Sequence, residues 1–160
     1  MEEVARRAGM TSGAIYGNFK NRHELFVALA EAYWAPIIPA ITPGSSFAEK
    51  MRAFAEATVA VIPDRRLAAV GRLTGMAYTL THEELRARVH DITARSFDAG
   101  ADWLRNLTEA DDLPMRPELL VVVIHSMTEG LLFQRFLTPE LVPDEVFYAA
   151  FAALGRKPHP

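Results

Sequence analysis

The segment EVARRAGMTSGAIYGNFKNR, Glu3 to Arg22, carries the strongest indication of fold and function in this chain. Its apolar residues recur at helical spacing on both sides of Gly9, which indicates two short helices joined by a tight turn. Gly9 is expected to take the positive φ that ends the first helix. Either Thr11 or Ser12 is expected to cap the second helix through a side-chain oxygen. Two such helices with a polar, basic outer face have the format of a helix-turn-helix, whose second helix enters the DNA major groove.

The second of these helices has one apolar and one polar face. Ile15 and Phe19 are four residues apart and are expected to share the buried face. Met10 is expected to fill the corner between the helices. Small residues on the helix let its backbone approach a groove closely, and Lys20 and Arg22 follow the helix where phosphates would lie. The residues left on the outside are Thr11, Ser12, Gly13, Tyr16, Gly17 and Asn18.

The whole run resembles the signature of the TetR (tetracycline-repressor) family of bacterial transcription regulators. The residues that carry the resemblance are Val4, Ala5, Ala8, Gly9, Gly13, Ile15, Tyr16, Phe19, Lys20, Leu25 and Phe26. Beyond them the chain is similar to the family only in layout. The resemblance implies a homodimeric regulator, whose N-terminal helices bind operator DNA and whose larger C-terminal body binds a small molecule and dimerises.

Carried over to this chain, the resemblance implies a recognition helix from about Ser12 to Phe19. It implies base-edge contacts from Ser12, Gly13, Gly17 and Asn18, and phosphate contacts from Thr11, Tyr16, Lys20 and Arg22. Asn18 is expected to read adenine, because its amide can bond an adenine edge bidentately.

The sequence departs from the family pattern at its start. Family members begin with a further helix that packs on the two described above, whereas Met1 falls inside the second helix of the pattern. Either the start is misassigned or shortened, or the DNA-binding head is incomplete. If the chain is complete as given, we expect Val4, Ile15 and Phe19 to face water and residues 1–20 to be loose or repacked. Each exposed large apolar side chain would forfeit about 1.5–3 kcal/mol of burial.

Composition agrees with a soluble regulator of the cytoplasm. Half of the 160 residues are hydrophobic and there is no cysteine, so a core is possible and disulfides are not. No run of eighteen apolar residues and no signal peptide are apparent, so we expect no membrane span. Residues 1–22 hold four cations and two carboxylates; since the whole chain has net charge −3, the remainder carries −5. A basic tip on an acidic body suits steering toward DNA.

Prolines and cap residues divide the rest of the chain into helices, which predicts an all-α fold of about eight helices. A connecting helix is expected to run from Leu25 to Trp34. Further helices are expected to start at Ser45 or Ser46 (with Glu49 completing a capping box), at Pro63-Asp64, after Thr81, at Leu119 and at Pro143. The β-branched run 119–124 also fits a buried strand, but its flanks and length favour helix. We expect a head and connecting helix over 1–35 and a body over 36–160.

The helix Leu119–Leu137 is hydrophobic on nearly all sides and must therefore be covered twice. Pro143–Leu154 offers a second apolar face. The resemblance implies that these last two helices form a four-helix interface between two subunits.

Candidate ligand-binding residues are polar or aromatic positions of the body. They are Trp34, Phe54, Arg72, Met76, Tyr78, Trp103, His125 and Thr128, with Glu129 and Gln134 beside them. For His125, a hydrogen-bonded histidine of the core or interface is the favoured alternative. The aromatic content suggests a largely apolar ligand. No catalytic or metal motif appears, since His82-Glu83-Glu84 lacks the second histidine of a zinc-protease helix, so we expect neither an enzyme nor a cofactor.

Together these features predict a TetR-like regulator, expected to be a repressor that a small molecule releases from DNA. The alternative is a dimeric ligand-binding protein with an incomplete head that does not bind DNA.

Overall fold

The computed structural model describes residues 5–6, 9–21, 24–25, 27–28, 34–107 and 113–156. All regular secondary structure within these ranges is helical, which confirms the all-α prediction. The described helices are α1 (Ser12–Asn18), α2 (Phe47–Ala60), α3 (Ile62–Leu80), α4 (Glu83–Leu107), α5 (Pro117–Leu137) and α6 (Asp144–Leu154). About eight helices were expected, and residues 5–6, 24–25 and 27–28 are helical in addition to these six.

Two predicted helix starts in the body are confirmed. Ser46 is the N-cap of α2, and its hydroxyl accepts a hydrogen bond of 3.3 Å from the backbone N–H of Glu49. The Glu49 carboxylate accepts in return from the backbone N–H of Ser46 at 2.7 Å, which completes the capping box. Pro63 lies in the first turn of α3, where its missing N–H costs no helical hydrogen bond.

Thr81 does not cap α4, and this prediction was wrong. Thr81 is instead the C-cap residue of α3, and its hydroxyl donates to the carbonyl of Tyr78 at 2.9 Å. A threonine hydroxyl three residues after a carbonyl can bond back to it, in competition with a cap of the next helix. The acidic first turn of α4 is as expected, with Glu83 and Glu84 complementing the helix dipole.

The core forms where α2 packs on α6 and α4 packs on α5. Its main cluster consists of Phe47, Met51, Ala55, Leu104, Leu120, Ile124 and Phe151. A second cluster around Leu132, Val142 and Phe147 joins the end of α5 to α6. Thr58 of α2 and Leu85 of α4 are buried as well.

Two cations tie helix ends together, and the sequence patterns did not indicate either of them. Lys50 is only 7% exposed, and its ammonium donates to the carbonyl of Leu107 at the end of α4. Arg135 donates to the carbonyl of Val142 and lies 2.9 Å from the Asp144 carboxylate in the first turn of α6. Lys50 satisfies a free carbonyl at the C-terminus of α4 and so stabilises that helix end, whereas Arg135 joins the end of α5 to the start of α6.

Residues 119–124 lie within α5, so the strand alternative is excluded. By length and composition alone α5 would be able to cross a membrane, with a mean hydropathy of 1.3 over eighteen residues. Only 22% of that window is buried in the structure. Leu119, Val122 and Val123 are 37–49% exposed, so α5 presents an apolar face that the described residues leave uncovered.

Candidate functional site

The turn before α1 has the geometry that the sequence predicts. Gly9 has φ +64°, and the backbone N–H of Met10 donates to the carbonyl of Ala5 at 2.9 Å. Thr11 is the N-cap of α1, since its hydroxyl oxygen accepts from the N–H of Ala14 at 3.1 Å. Of the two cap candidates, the structure therefore selects Thr11. Met10 is 46% exposed, so the prediction that it fills the corner was wrong; backbone hydrogen bonds close the turn instead.

The inner face of α1 is buried. Ile15 is 5% exposed, Ala5 on the preceding helical segment is 2% exposed, and Phe19 is half-buried. Ile15 therefore lies on the buried face that the sequence predicts, with Phe19 partly covered beside it. The separate expectation, that an incomplete head would leave Ile15 facing water, is wrong. Val4, the third residue of that expectation, lies outside the described residues.

The outer face of α1 is open. Tyr16 is 54% exposed, and Asn18 and Lys20 are exposed as well. A Cβ placed on Gly17 would meet no atom within 4 Å, and one on Gly13 would meet only the Thr11 hydroxyl oxygen, at 3.9 Å. Another molecule can thus approach the helix backbone along this side. Ser12 opens the helix, but its side chain lies outside the described residues, as does all of Arg22.

The Asn18 side chain is oriented by its own helix. Its Nδ2 donates to the carbonyl of Ala14 at 2.8 Å. An amide carries two N–H donors and an oxygen acceptor, so one N–H and Oδ1 remain for the edge of a base. The amide can therefore keep this hydrogen bond while it contacts DNA.

A second local motif fixes the chain just after α1. The Asn21 side chain accepts from the backbone N–H of Glu24 at 3.0 Å, and the Glu24 carboxylate accepts from the backbone N–H of Lys20 at 2.8 Å. This reciprocal pair resembles a capping box and holds the backbone of Lys20 in place. The spacing Asn21-x-x-Glu24 is the sequence signal for this motif.

In the body, residues that are distant in sequence meet in one polar group, which we call the Trp34 cluster: Trp34, Arg65, Arg72, Glu129 and Phe133. The indole N–H of Trp34 donates to one carboxylate oxygen of Glu129, and Arg72 Nη2 lies 3.3 Å from the other. The guanidinium carbons of Arg65 and Arg72 lie 4.8 and 5.5 Å from the centre of the Trp34 ring system. Phe133 stacks on the same indole at 5.6 Å.

The electrostatics of the Trp34 cluster are unusual for a protein interior. Arg65 is 7% exposed, and desolvation lowers its pKa despite the nearby Glu129. Partial desolvation also lowers the pKa of His125, one turn before Glu129 on α5, although Glu129 acts in the opposite direction. The Nε of Arg72 is buried and has no hydrogen-bond partner among the described residues. Such an orphaned donor costs about 1–3 kcal/mol.

The structure distributes the predicted ligand residues among several places. Trp34 and Arg72 meet in the Trp34 cluster. Thr128 and His125 lie on α5, which also carries Glu129 of this cluster. Thr128 is buried, and the His125 ring packs edge-on against Phe97. The remaining predicted residues lie elsewhere. Phe54 and Trp103 meet edge to face in the main core, Tyr78 stacks on His82, Met76 is 43% exposed, and Gln134 donates to Thr138.

Two surface grooves occur in other parts of the body. One, of about 270 Å³, is lined by residues of the 40–56 segment, and the other, of about 360 Å³, by residues of the first turns of α4. None of the predicted ligand residues lines either groove. Within the described ranges, no group of three or more histidine or acidic side chains is arranged to hold a metal ion.

A short helix with an open outer face, preceded by a tight turn, has the layout of the second half of a helix-turn-helix. Residues 1–29 match the family model described as "Bacterial regulatory proteins, tetR family". The match supports a transcription regulator of the TetR family. No curated protein and no solved structure matches the chain.

Proposed function

We propose that this protein is a TetR-family repressor of the cytoplasm, which binds operator DNA as a homodimer and is released by a small, largely apolar ligand. Residues 1–35 form the DNA-binding head with its connecting helix, and residues 36–160 form the body that dimerises and binds the ligand. The observation that carries the proposal is the open, uncharged outer face of α1 beside the exposed Tyr16 and Lys20, within the segment that matches the family.

The outer face of α1 suits a groove of DNA. Tyr16 is exposed on α1, and Lys20 is exposed two residues after its end, while Gly13 and Gly17 leave the helix backbone open, so both side chains can reach phosphates while the helix backbone approaches the bases. The Thr11 hydroxyl uses its oxygen as the cap acceptor and keeps its hydrogen for a phosphate. Asn18 then supplies the base contact at the end of the helix.

A second copy of the chain covers the exposed face of α5. The exposed positions of that helix from Leu119 to Gly130 include Val122, Val123 and Ser126 and carry no charged side chain apart from the partly desolvated His125. On α6, Tyr148 is 39% exposed beside exposed alanines. A dimer formed through these faces about a two-fold axis has to set its two recognition helices about 34–36 Å apart, one turn of DNA, in order to bind two half-sites.

Trp34 provides the link between ligand and head. It follows the connecting segment, of which residues 24–25 and 27–28 are helical, and it is hydrogen-bonded to Glu129 of the body. A ligand that changes this attachment shifts the head toward one orientation, but only to the extent that it binds that orientation more tightly.

The test is an electrophoretic mobility shift with DNA from upstream of the gene, repeated over a series of salt concentrations. Tight binding that weakens steeply with salt is expected, with a slope of about −0.9 per phosphate contact. Tyr16→Ala and Lys20→Ala should each reduce affinity and the salt slope, whereas Arg88→Ala, an exposed cation on α4, should change neither. Circular dichroism and sedimentation would check that each variant keeps its fold and assembly.

Absence of binding at low salt by an intact dimer would refute the repressor and favour the ligand-binding protein without a functional head. Unchanged affinity in the Tyr16 and Lys20 variants would refute their phosphate contacts.

A further inference from the structure

The Trp34 cluster holds more positive than negative charge in a poorly solvated place. It contains the guanidinium groups of Arg65 and Arg72 and the carboxylate of Glu129. The Arg72 and Glu129 side chains are 26% and 14% exposed, and Arg65 is more deeply buried. Because a desolvated charge is costly unless it is paired, a second anion would stabilise this arrangement.

The hydrogen-bond pattern shows where that anion would bind. Nε and Nη2 of Arg72 lie on the same edge of the guanidinium, the edge that matches both oxygens of a carboxylate. Glu129 contacts only Nη2, at 3.3 Å, because its other oxygen accepts from the Trp34 indole. The buried Nε is left without an acceptor in the described part of the chain. One of the two N–H donors on this edge of Arg72 therefore has no acceptor in the described part of the protein.

The surroundings of this edge are aromatic. The Trp34 and Phe133 rings stack on each other with an interplanar angle of 12°, and the Arg72 guanidinium lies over the Trp34 ring system. Both rings remain partly exposed, so a molecule whose acidic group binds Arg72 would meet their exposed edges, which favours an apolar or aromatic body.

We propose that the Trp34 cluster binds a small aromatic carboxylic acid as its anion, with the carboxylate on the Nε and Nη2 edge of Arg72 and the ring against Trp34 and Phe133. The inference rests on the proposed regulator, because it names the chemical class of the effector. The ligand carboxylate takes the place of Glu129 on Arg72. Glu129 therefore competes with the ligand for Arg72. When the ligand displaces the Glu129 carboxylate, the Trp34 indole N–H loses its acceptor. That hydrogen bond joins the end of the connecting segment to the body.

The first experiment measures tryptophan fluorescence during titration with benzoate, phenylacetate and 3-phenylpropionate, each paired with its neutral amide. The chain has two tryptophans, so Trp103→Phe leaves Trp34 as the reporter. At least one acid should change the emission saturably, and its amide should bind about 10- to 100-fold more weakly, the range of a charge-assisted hydrogen-bond pair. Equal binding of acid and amide, or no change with any acid up to about 10 mM, would overturn the proposal.

Three variants locate the anion. Arg72→Met should abolish binding, whereas Arg66→Met, an exposed arginine of the same helix, should leave it unchanged. Glu129→Gln keeps an acceptor for the indole but removes the competing charge, so it should tighten binding about tenfold. Equal effects of the two arginine variants, or weaker binding in Glu129→Gln, would contradict the proposed site. The Glu129 variant keeps the test decisive if Arg72→Met fails to fold.

These readouts are independent of DNA binding. A chain that binds the acids but not DNA would retain the site and refute the regulator. A chain that binds DNA while no acid changes its fluorescence would refute the site alone.

Discussion

Helices α4 and α5 approach each other closely at Gly100, and a substitution of this glycine tests that contact quantitatively. A Cβ added at Gly100 would lie 2.5 Å from Cγ2 of Val121 and 3.7 Å from its Cβ. Optimal carbon–carbon contacts are about 3.5–4.0 Å, so the two helices would have to move apart or Val121 would have to rotate. Rotation is unfavourable because a valine in a helix has one strongly preferred χ1 rotamer. We therefore predict that Gly100→Ala destabilises the protein.

The size of the effect follows from two opposing contributions. Replacing a helical glycine by alanine gains about 1 kcal/mol of helix propensity. Overpacking a close helix contact costs about 1–3 kcal/mol. Gly71→Ala in α3 is the matched control, since no atom lies within 4 Å of its added Cβ. The control should gain about 1 kcal/mol and Gly100→Ala should lose about 0–2, so the melting temperatures should differ by about 2–12 °C.

The assay is unfolding by heat and by urea, each followed by circular dichroism, at one fixed protein concentration because dimerisation would contribute to stability. Combining Gly100→Ala with Val121→Ala should restore part of the loss, with a coupling of about 1 kcal/mol in a double-mutant cycle. If Gly100→Ala stabilises the protein as much as Gly71→Ala, the close approach of α4 and α5 is refuted.

Three further predictions concern the caps and the interface. Thr11→Ala should remove the N-cap of α1, which is worth about 1 kcal/mol, and should weaken DNA binding up to about fivefold in a mobility shift. Thr11→Ser should retain the cap and the affinity, so equal losses in the two variants would contradict the cap. Hydrogen bonds from the Ser46 hydroxyl and backbone lower the pKa of Glu49 from its ordinary value of 4.5, so its contribution is full above that value and is lost as pH falls through the lowered pKa. The difference in urea stability between the wild type and Glu49→Gln should therefore shrink on acidification, and a difference independent of pH would disprove the linkage. Val123→Glu should convert the proposed dimer to a monomer in sedimentation velocity, whereas Ala87→Glu, at an exposed position of α4, should not. A dimer that persists in Val123→Glu would exclude the α5 face as the interface.

Features that depend on a few neighbouring residues were predictable. The Ser46–Glu49 capping box, the positive φ of Gly9 and the helical nature of residues 119–124 each follow from short-range patterns. Where one residue can cap either of two neighbouring helices, the sequence pattern does not determine which helix it caps. Thr81 satisfies a carbonyl of α3 instead of starting α4, and only the path of the chain decides between these roles.

The candidate ligand site shows the limit of such patterns. Trp34 and Arg72 were both proposed as ligand residues, but nothing in the sequence relates Trp34 to Glu129, which is 95 positions away. Arg65 was not proposed, because an arginine on an exposed-looking helix gives no sign of being 7% exposed. The orphaned Arg72 Nε arises only from the packing around it.

The sequence by itself determined the helical class, the turn before α1 and the polar outer side of α1, since hydrogen bonds and side-chain spacings between residues three or four apart specify these features. Tertiary structure alone decided which charges share an interior and how closely α4 and α5 approach. Those outcomes depend on contacts between segments far apart in the chain, which helical periodicity does not specify.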